Sequence, residues 1–128
     1  MKITEKIKCA QFPCTDINKD NYLLPSGNID TVKIRILMVT EAPPAEKSDY
    51  FYAPGNPAYL QTILQVFKDA GHNVANMQDI LNLGVYITTA VKCSKTQYAV
   101  SPDTMNNCSQ LLEKEIQDHL NYMMMLED

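Results

Sequence analysis

The stretch KIRILMVTEAPP, residues 33–44, decides the fold. Its first eight residues form a nearly continuous apolar run, which is typical of a strand that is buried on both faces of a parallel sheet. Pro43 and Pro44 end this strand, because proline cannot donate a backbone hydrogen bond to a neighbouring strand. The sequence therefore predicts a strand over residues 33–40, with Glu41 directly at its carboxyl end.

A second apolar run, VYITTAV at residues 85–91, predicts another buried strand because it is rich in β-branched and aromatic side chains. A helix is predicted between the two strands, with Asn56 as its N-cap and Pro57 at its first position. Gly71 is the expected C-terminal stop of this helix. Its apolar stripe has the spacing i, i+3, i+4, i+7 and consists of Leu60, Ile63, Leu64 and Phe67.

Two more helices complete the predicted order of elements. A short helix is expected over residues 77–83, and a longer one is expected to begin after Ser101 and to run past Ile116. Strand, helix and strand in this order form a crossover, which joins parallel strands. The sequence therefore predicts an α/β fold with three layers, α/β/α, around a central and mainly parallel sheet.

The length of 128 residues suits one domain, residues 1–128. Residues 1–32 are predicted to be an irregular strap over this domain, and residues 45–56 a long loop. The apolar residues 123–126 resemble the start of a further strand. We therefore expect the domain to be C-terminally incomplete relative to a longer natural protein.

Composition restricts the partners and the compartment. Eleven Lys and Arg against fifteen Asp and Glu give a net charge of −4, so a broad basic footprint for nucleic acid is missing. Only a local basic patch, such as Lys92 with Lys95, is compatible with such binding. The N-terminus lacks a signal peptide pattern and no apolar run has transmembrane length. The expected location is the cytoplasm, without a membrane partner, and the oligomeric state stays open.

The four cysteines form two pairs, Cys9 with Cys14 and Cys93 with Cys108. Cytoplasmic thiols are kept reduced, so disulfides do not explain them. Two separated thiol pairs can meet in space and bind one metal centre. The other interpretation is four unrelated buried cysteines, which the apolar helix position of Cys108 also fits.

Two further features have both a functional and a structural interpretation. Glu41 follows a buried strand, and ligands of open parallel sheets bind outside the carboxyl ends of the strands. A carboxylate there can position or deprotonate water, or it can simply cap a turn. The aromatic run Tyr50, Phe51 and Tyr52 can stack on a base, or it can close over the core.

These segments together resemble the uracil-DNA glycosylase superfamily, in its iron–sulfur bacterial and archaeal branch. The pair Cys9 and Cys14 resembles that branch's N-terminal cysteine pair, and residues 36–44 resemble its strand with the GEAPG motif. Residues 52–64 resemble its PFVG loop and helix. VYITTAVKC, residues 85–93, resembles VYITNVVKC. The helix with the fourth cysteine matches the segment with Cys108 and Glu115.

The resemblance implies a [4Fe-4S] cluster on the four cysteines, with zinc as the alternative metal for a thiolate site. It implies hydrolysis of the N-glycosidic bond of a damaged base that is flipped out of single- or double-stranded DNA. Glu41 would position the attacking water, and the backbone at Ala42 would contribute to the substrate site. Phe51 or Tyr52 would stack on the base, and Thr89 would contact its edge.

The sequence also departs from the family pattern. The first cysteine pair has four intervening residues instead of two, and Thr40 and Pro44 replace the motif glycines. Thr89 stands where the family has an asparagine, and the family's later histidine motif falls beyond residue 128. The alternative function is therefore a non-catalytic, metal-stabilised domain, with iron–sulfur or zinc, that binds nucleic acid or another partner. Weak or absent activity on uracil-containing DNA is expected.

Overall fold

The computed structural model describes Cys9 and residues 14–26, 29–96 and 100–127, without the side chains of Thr31 and residues 118–127. Four strands and three α-helices lie in this part of the chain. In chain order they are β1 (Ile17–Tyr22), β2 (Ile36–Thr40), α1 (Ala58–Asp69), α2 (Met77–Asn82), β3 (Val85–Thr89), β4 (Cys93–Lys95) and α3 (Pro102–Glu127). Single turns of 3₁₀-helix occupy Thr31–Lys33 and Lys47–Asp49.

β2 and β3 pair in parallel, as the sequence predicted. Their register runs from Ile36 opposite Val85 to Thr40 opposite Thr89. β3 is buried at all five positions, because the core formed with α1 and α2 packs against it and Glu115 of α3 contacts Tyr86 and Thr88. The crossover therefore brings the carboxyl ends of the two predicted strands together.

The chain mixes helices with strands, but the described strands form two sheets of two strands each. β2 is correspondingly not buried on both faces, contrary to the prediction: Ile36, Leu37 and Val39 are 54%, 41% and 45% exposed. The sequence run predicted burial from apolar content alone. In the described part of the chain β2 has a neighbouring strand on only one side, so its apolar side chains stay accessible.

The prediction of an irregular strap over residues 1–32 was wrong for the segment that forms β1, and β4 was not predicted as a strand. These two short strands pair antiparallel, with Ile17 opposite Lys95 and Asn18 opposite Ser94. β1 reads INKDNY, which has neither an apolar run nor regular alternation. Its strand conformation depends on a partner more than seventy residues away in the sequence, and no local pattern indicates that partner.

Backbone hydrogen bonds join the two sheets. The amides of Ala90 and Val91 donate to the carbonyls of Thr40 and Glu41 at 2.8 and 2.9 Å, and the Lys95 amide donates to Pro43 at 3.3 Å. The segment after β3 thus runs alongside the segment after β2 and is hydrogen-bonded to it. Glu41 lies at this junction between the sheets.

The helices begin and end close to the predicted residues. α1 begins at Ala58 with Pro57 as N-cap, one residue later than predicted, and no side chain caps it. At α2 the Asn76 side chain accepts from the Asp79 amide at 2.9 Å, and Asp79 accepts from the Ala75 amide at 2.8 Å. This reciprocal arrangement satisfies amides that a helix N-terminus leaves unpaired. Residues 123–126 belong to α3 and not to the predicted further strand.

Two apolar clusters occupy the interior. The larger one packs α1 and α2 against β3 and the aromatic loop; it contains Leu60, Leu64, Val74, Met77, Ile80, Leu81, Val85, Tyr86, Ile87, Tyr50 and Phe51. The smaller one lies between the sheet junction and α3 and contains Ala42, Val91, Val100, Cys108 and Leu111. The smaller core therefore contains Cys108 together with Ala42, the residue that follows Glu41.

The turn into β3 yields a stability prediction. Gly84 has φ +92°, and a Cβ added there would stand 2.6 Å from the Lys33 carbonyl oxygen. Left-handed strain and overpacking together should make Gly84→Ala lower the free energy of unfolding by about 3 kcal/mol in urea denaturation. Gly71→Ala is the control, because Gly71 has φ +94° but open space around it. Equal losses for the two variants would contradict the close contact.

Candidate metal centre and substrate site

All four cysteines line one cavity. Cys93 comes from β4 and Cys108 from α3, and both are buried; Cys9 and Cys14 come from the strap and are partly buried. The cavity is narrow, about 20 Å³, and its other walls are formed by Ile17, Lys19, Tyr22, Val91, Thr104 and Leu111. Three segments that are far apart in sequence therefore bring their thiols to one place.

Asp16 ties the strap to α3. Its carboxylate accepts a hydrogen bond from the Ser101 amide at 2.6 Å and another from the Thr104 hydroxyl. These hydrogen bonds, led by the one from Thr104, lower the pKa of Asp16. The Thr96 hydroxyl also donates to the Asp16 carbonyl at 3.1 Å. Since Asp16 follows Cys14 by two residues, this cap holds Cys14 beside the helix that carries Cys108.

The cysteine thiols influence one another's pKa values electrostatically. Burial raises the pKa of Cys93 to about 11, and the negative charges of Cys108, Cys9 and Cys14 add to the increase. Burial also raises the pKa of Cys108, while the backbone amide and the charge of Lys92 act in the opposite direction. Without a metal, Cys93 is therefore protonated at neutral pH, and a metal must displace the proton to bind.

The donor set fits a thiolate-bound metal, because four sulfurs surround the cavity and no carboxylate lines it. Within the described ranges, no three His, Cys, Asp or Glu side chains are placed to hold a single metal ion. Sulfurs around one zinc stand within about 4 Å of each other. A four-iron cluster takes each thiolate on a separate iron and so requires wider spacing.

A buried ion pair lies directly beside the cysteines. Lys92 is 0% exposed and Glu115 is 1% exposed, and Lys92 Nζ lies 2.7 Å from Glu115 Oε1. Lys92 Nζ also donates to Thr88 Oγ1 at 2.9 Å and to the Thr89 carbonyl at 2.6 Å. The hydroxyls of Tyr86 and Thr88 donate to the Glu115 carboxylate. Every charged atom of the pair is thus satisfied inside the protein.

This pair corrects the expectation of a basic patch at Lys92 and Lys95, because Lys92 cannot reach solvent. Sequence reasoning missed the pair, although a signal existed. Cys108, Leu111 and Glu115 have the spacing i, i+3, i+7 and so share the buried face of α3. A glutamate on such a face needs a buried partner of opposite charge.

Glu41 is partly buried at the sheet junction. Its Oε1 accepts a hydrogen bond from the Val100 amide at 3.3 Å, so the carboxylate faces the segment that leads into α3. Ala42 is buried in the smaller core with Val91 and Cys108. The predicted water-positioning carboxylate and the cysteine cavity therefore adjoin one another.

Thr89 lies at the carboxyl end of β3, opposite Thr40 in β2. It is 1% exposed, and its hydroxyl has no hydrogen-bond partner among the described residues. The Thr40 hydroxyl is likewise buried without such a partner. A buried hydroxyl without a partner costs about 1–3 kcal/mol. A ligand that reached this edge of the sheet would satisfy both groups.

The two aromatic candidates differ in accessibility. Phe51 is 5% exposed in the larger core, with its ring 5.9 Å from the ring of Tyr59. Tyr52 donates its hydroxyl to the Ile87 carbonyl at 2.5 Å, and it lines a cavity of about 350 Å³. The cavity is lined by Leu23, Leu24, Ser26, Lys47, Ser48, Tyr50, Tyr52, Ala53 and Pro54. Its volume is in the range of small-molecule sites.

The sequence matches no protein-family model and no curated protein. Among the helices that the structure describes, none has both the length and the apolar character that crossing a bilayer requires.

The hydrogen bonds that Asp16 accepts from Ser101 and Thr104 yield a prediction for the strap. Asp16→Ala removes the acceptor for the Ser101 amide and the Thr104 hydroxyl, so the melting temperature followed by circular dichroism should fall by several degrees. Asp20→Ala is the matched control, because Asp20 is an exposed carboxylate in β1, four residues further along the chain, and its removal changes the net charge equally. A shift of the same size in both variants would attribute the effect to charge and not to the cap.

Proposed function

We propose that this chain is a divergent member of the uracil-DNA glycosylase superfamily, whose four cysteines hold a [4Fe-4S] cluster and whose substrate is a damaged base in DNA. The three-layer arrangement of that superfamily is part of the proposal. The observation that carries it is the cavity shared by Cys9, Cys14, Cys93 and Cys108, since Cys108 belongs to the same small core as Ala42, the residue that follows Glu41. Four cysteines without a common role would have no reason to meet at the sheet edge where α/β folds bind ligands.

The cluster would serve the fold by joining the strap, β4 and α3. Each of these elements contributes a cysteine, and β4 follows the segment that pairs with Thr40 and Glu41. A metal bound to all four thiols would therefore restrain the position of Glu41. The cluster itself takes no part in the hydrolysis under this proposal.

The residues of the substrate site would act on an extruded base and on water. The ring of Tyr52 would form one wall for the base, and the cavity that it lines is large enough for one. Glu41 would hold the attacking water through its carboxylate, after releasing the weak 3.3 Å contact with the Val100 amide. Thr89 would offer its unpaired hydroxyl to the base edge. Phe51 would be the stacking residue in the alternative to Tyr52.

The cluster has a direct test. Protein purified without oxygen should be brown, with about four iron and about four sulfide per chain. Cys108→Ser should abolish the visible absorption, because one of the four ligands is lost. Ser109→Ala is the matched control, since Ser109 is the exposed neighbour on the same helix. A colourless protein with one tightly bound zinc per chain would show that the cysteines bind zinc, the alternative metal, and not an iron–sulfur cluster.

The activity is expected to be weak. Thr89 offers one short hydroxyl contact where an amide would offer both a donor and an acceptor, so a base edge would be held poorly. Loss of one stabilising donor commonly lowers turnover on the order of a hundredfold. The measurement is strand cleavage on single- and double-stranded uracil DNA after alkali treatment. Glu41→Gln should remove the remaining activity, and Glu46→Gln, an exposed acid in the same loop, should retain it.

The second candidate function is a non-catalytic, metal-stabilised domain that binds nucleic acid. The burial of Phe51 and Thr89 favours it, because neither side chain reaches a ligand without local opening. Brown protein that binds uracil DNA but never cleaves it would support this candidate. Rapid cleavage that Glu41→Gln abolishes would reject it and would also contradict the argument from Thr89.

A further inference from the structure

The Lys92–Glu115 pair is not explained by stability alone. Removing two charges from water costs free energy that their attraction roughly offsets, and apolar side chains of similar size often replace such pairs without loss. The contact between α3 and β3 therefore does not require ions. Their place beside two of the four cysteines points to a more specific role.

Lys92 contacts α3 in two ways. Its side chain reaches Glu115 Oε1 at 2.7 Å, and its backbone amide donates to Cys108 Sγ at 3.2 Å. Cys108 and Glu115 are seven residues apart, which is about two turns of an α-helix, so they lie on one face. Because these two contacts lie about two turns apart along the axis of α3, they fix both the rotation and the axial position of the helix.

Lys92 also precedes Cys93 directly. Its side chain is anchored to β3 through Thr88 Oγ1 and the Thr89 carbonyl. Its own carbonyl accepts from the Leu23 amide at 2.8 Å. The residue that positions α3 is thus held firmly at the start of β4, so the distance between Cys93 and Cys108 is set by this network.

The strap cysteines have a separate support. Cys14 is held through Asp16, whose carboxylate accepts hydrogen bonds from Ser101 and Thr104 at the start of α3, and through β1, which pairs with β4. Lys92 and its partners thus join Cys93 to Cys108, while Cys14 is joined to the same two elements, β4 and α3, by a different set of hydrogen bonds.

We infer that Lys92 and Glu115 are positioning residues that hold Cys93 and Cys108 as a preformed half of the metal site, onto which the strap cysteines close. The inference rests on the proposed cluster. A ligand pair that is ordered before loading loses less conformational freedom when the metal binds. The amide that donates to Cys108 also supports this sulfur as a ligand, as partners behind metal ligands commonly do.

The test compares Lys92→Met/Glu115→Met with wild type. The double variant removes both charges together, so it leaves no unpaired ion in the core. After anaerobic loading, the cluster absorption of the variant should bleach on the order of tenfold faster with a chelator, as for other losses of support behind metal ligands. Ile80→Ala is the control, because Ile80 is fully buried in the other core. It should lower the melting temperature but leave the bleaching rate unchanged.

A second measurement uses the metal-free protein and does not depend on the double variant folding. Cys9→Ser/Cys14→Ser retains the Cys93–Cys108 pair, and Cys93→Ser/Cys108→Ser retains the strap pair. The first should hold one equivalent of Hg(II) against a competing monothiol at least tenfold better than the second, since its thiols are already in place.

The outcomes separate the two claims. Wild-type protein that takes up no cluster would reject the proposed function, and the Hg(II) comparison would still decide whether the half-site is preformed. Wild-type protein that loads a cluster, with equal bleaching in the Met variant or equal Hg(II) retention by the two pairs, would overturn the inference about Lys92 and Glu115.

Discussion

The 2.7 Å contact between Lys92 Nζ and Glu115 Oε1 constrains the position of every element around it. Separating α3 from the segment after β3 would leave two charges buried without partners, and breaking such a pair costs about 3–5 kcal/mol. The whole stability of a domain is only about 5–15 kcal/mol. α3, β3 and β4 therefore keep their relative arrangement while the protein is folded, and the residues that they carry inherit that arrangement.

The short segment between β3 and β4 links the two candidate sites. On one side its amides at Ala90 and Val91 bond to Thr40 and Glu41; on the other side Lys92 bonds to α3. The proposed metal centre and the carboxylate proposed to position water therefore depend on the same few residues. A displacement of Cys93 would therefore be transmitted to Glu41 through the backbone hydrogen bonds of Ala90 and Val91.

The sequence predicted the elements whose conformation follows from local pattern. β3, α1 and α2 have a clear apolar period or cap, and the crossover between β2 and β3 determines their parallel pairing. β1 and β4 could not be predicted, because short polar strands acquire their conformation from a distant partner. The exposure of Leu37 and Val39 was missed for a related reason: apolar content shows what a strand can bury, while its neighbours determine what it does bury.

At the candidate site, the chain order of the cysteines indicated two pairs, but the buried charges of Lys92 and Glu115 beside them were missed. Thiolates around a metal carry negative charge, which a buried site must offset. The positive charge of Lys92 and its amide both lower the pKa of Cys108, against the effect of burial. Glu115 in turn forms an ion pair with Lys92 at 2.7 Å. The network thus gives Lys92 Nζ three partners in the interior, and Lys92 opposes the burial that raises the pKa of Cys108.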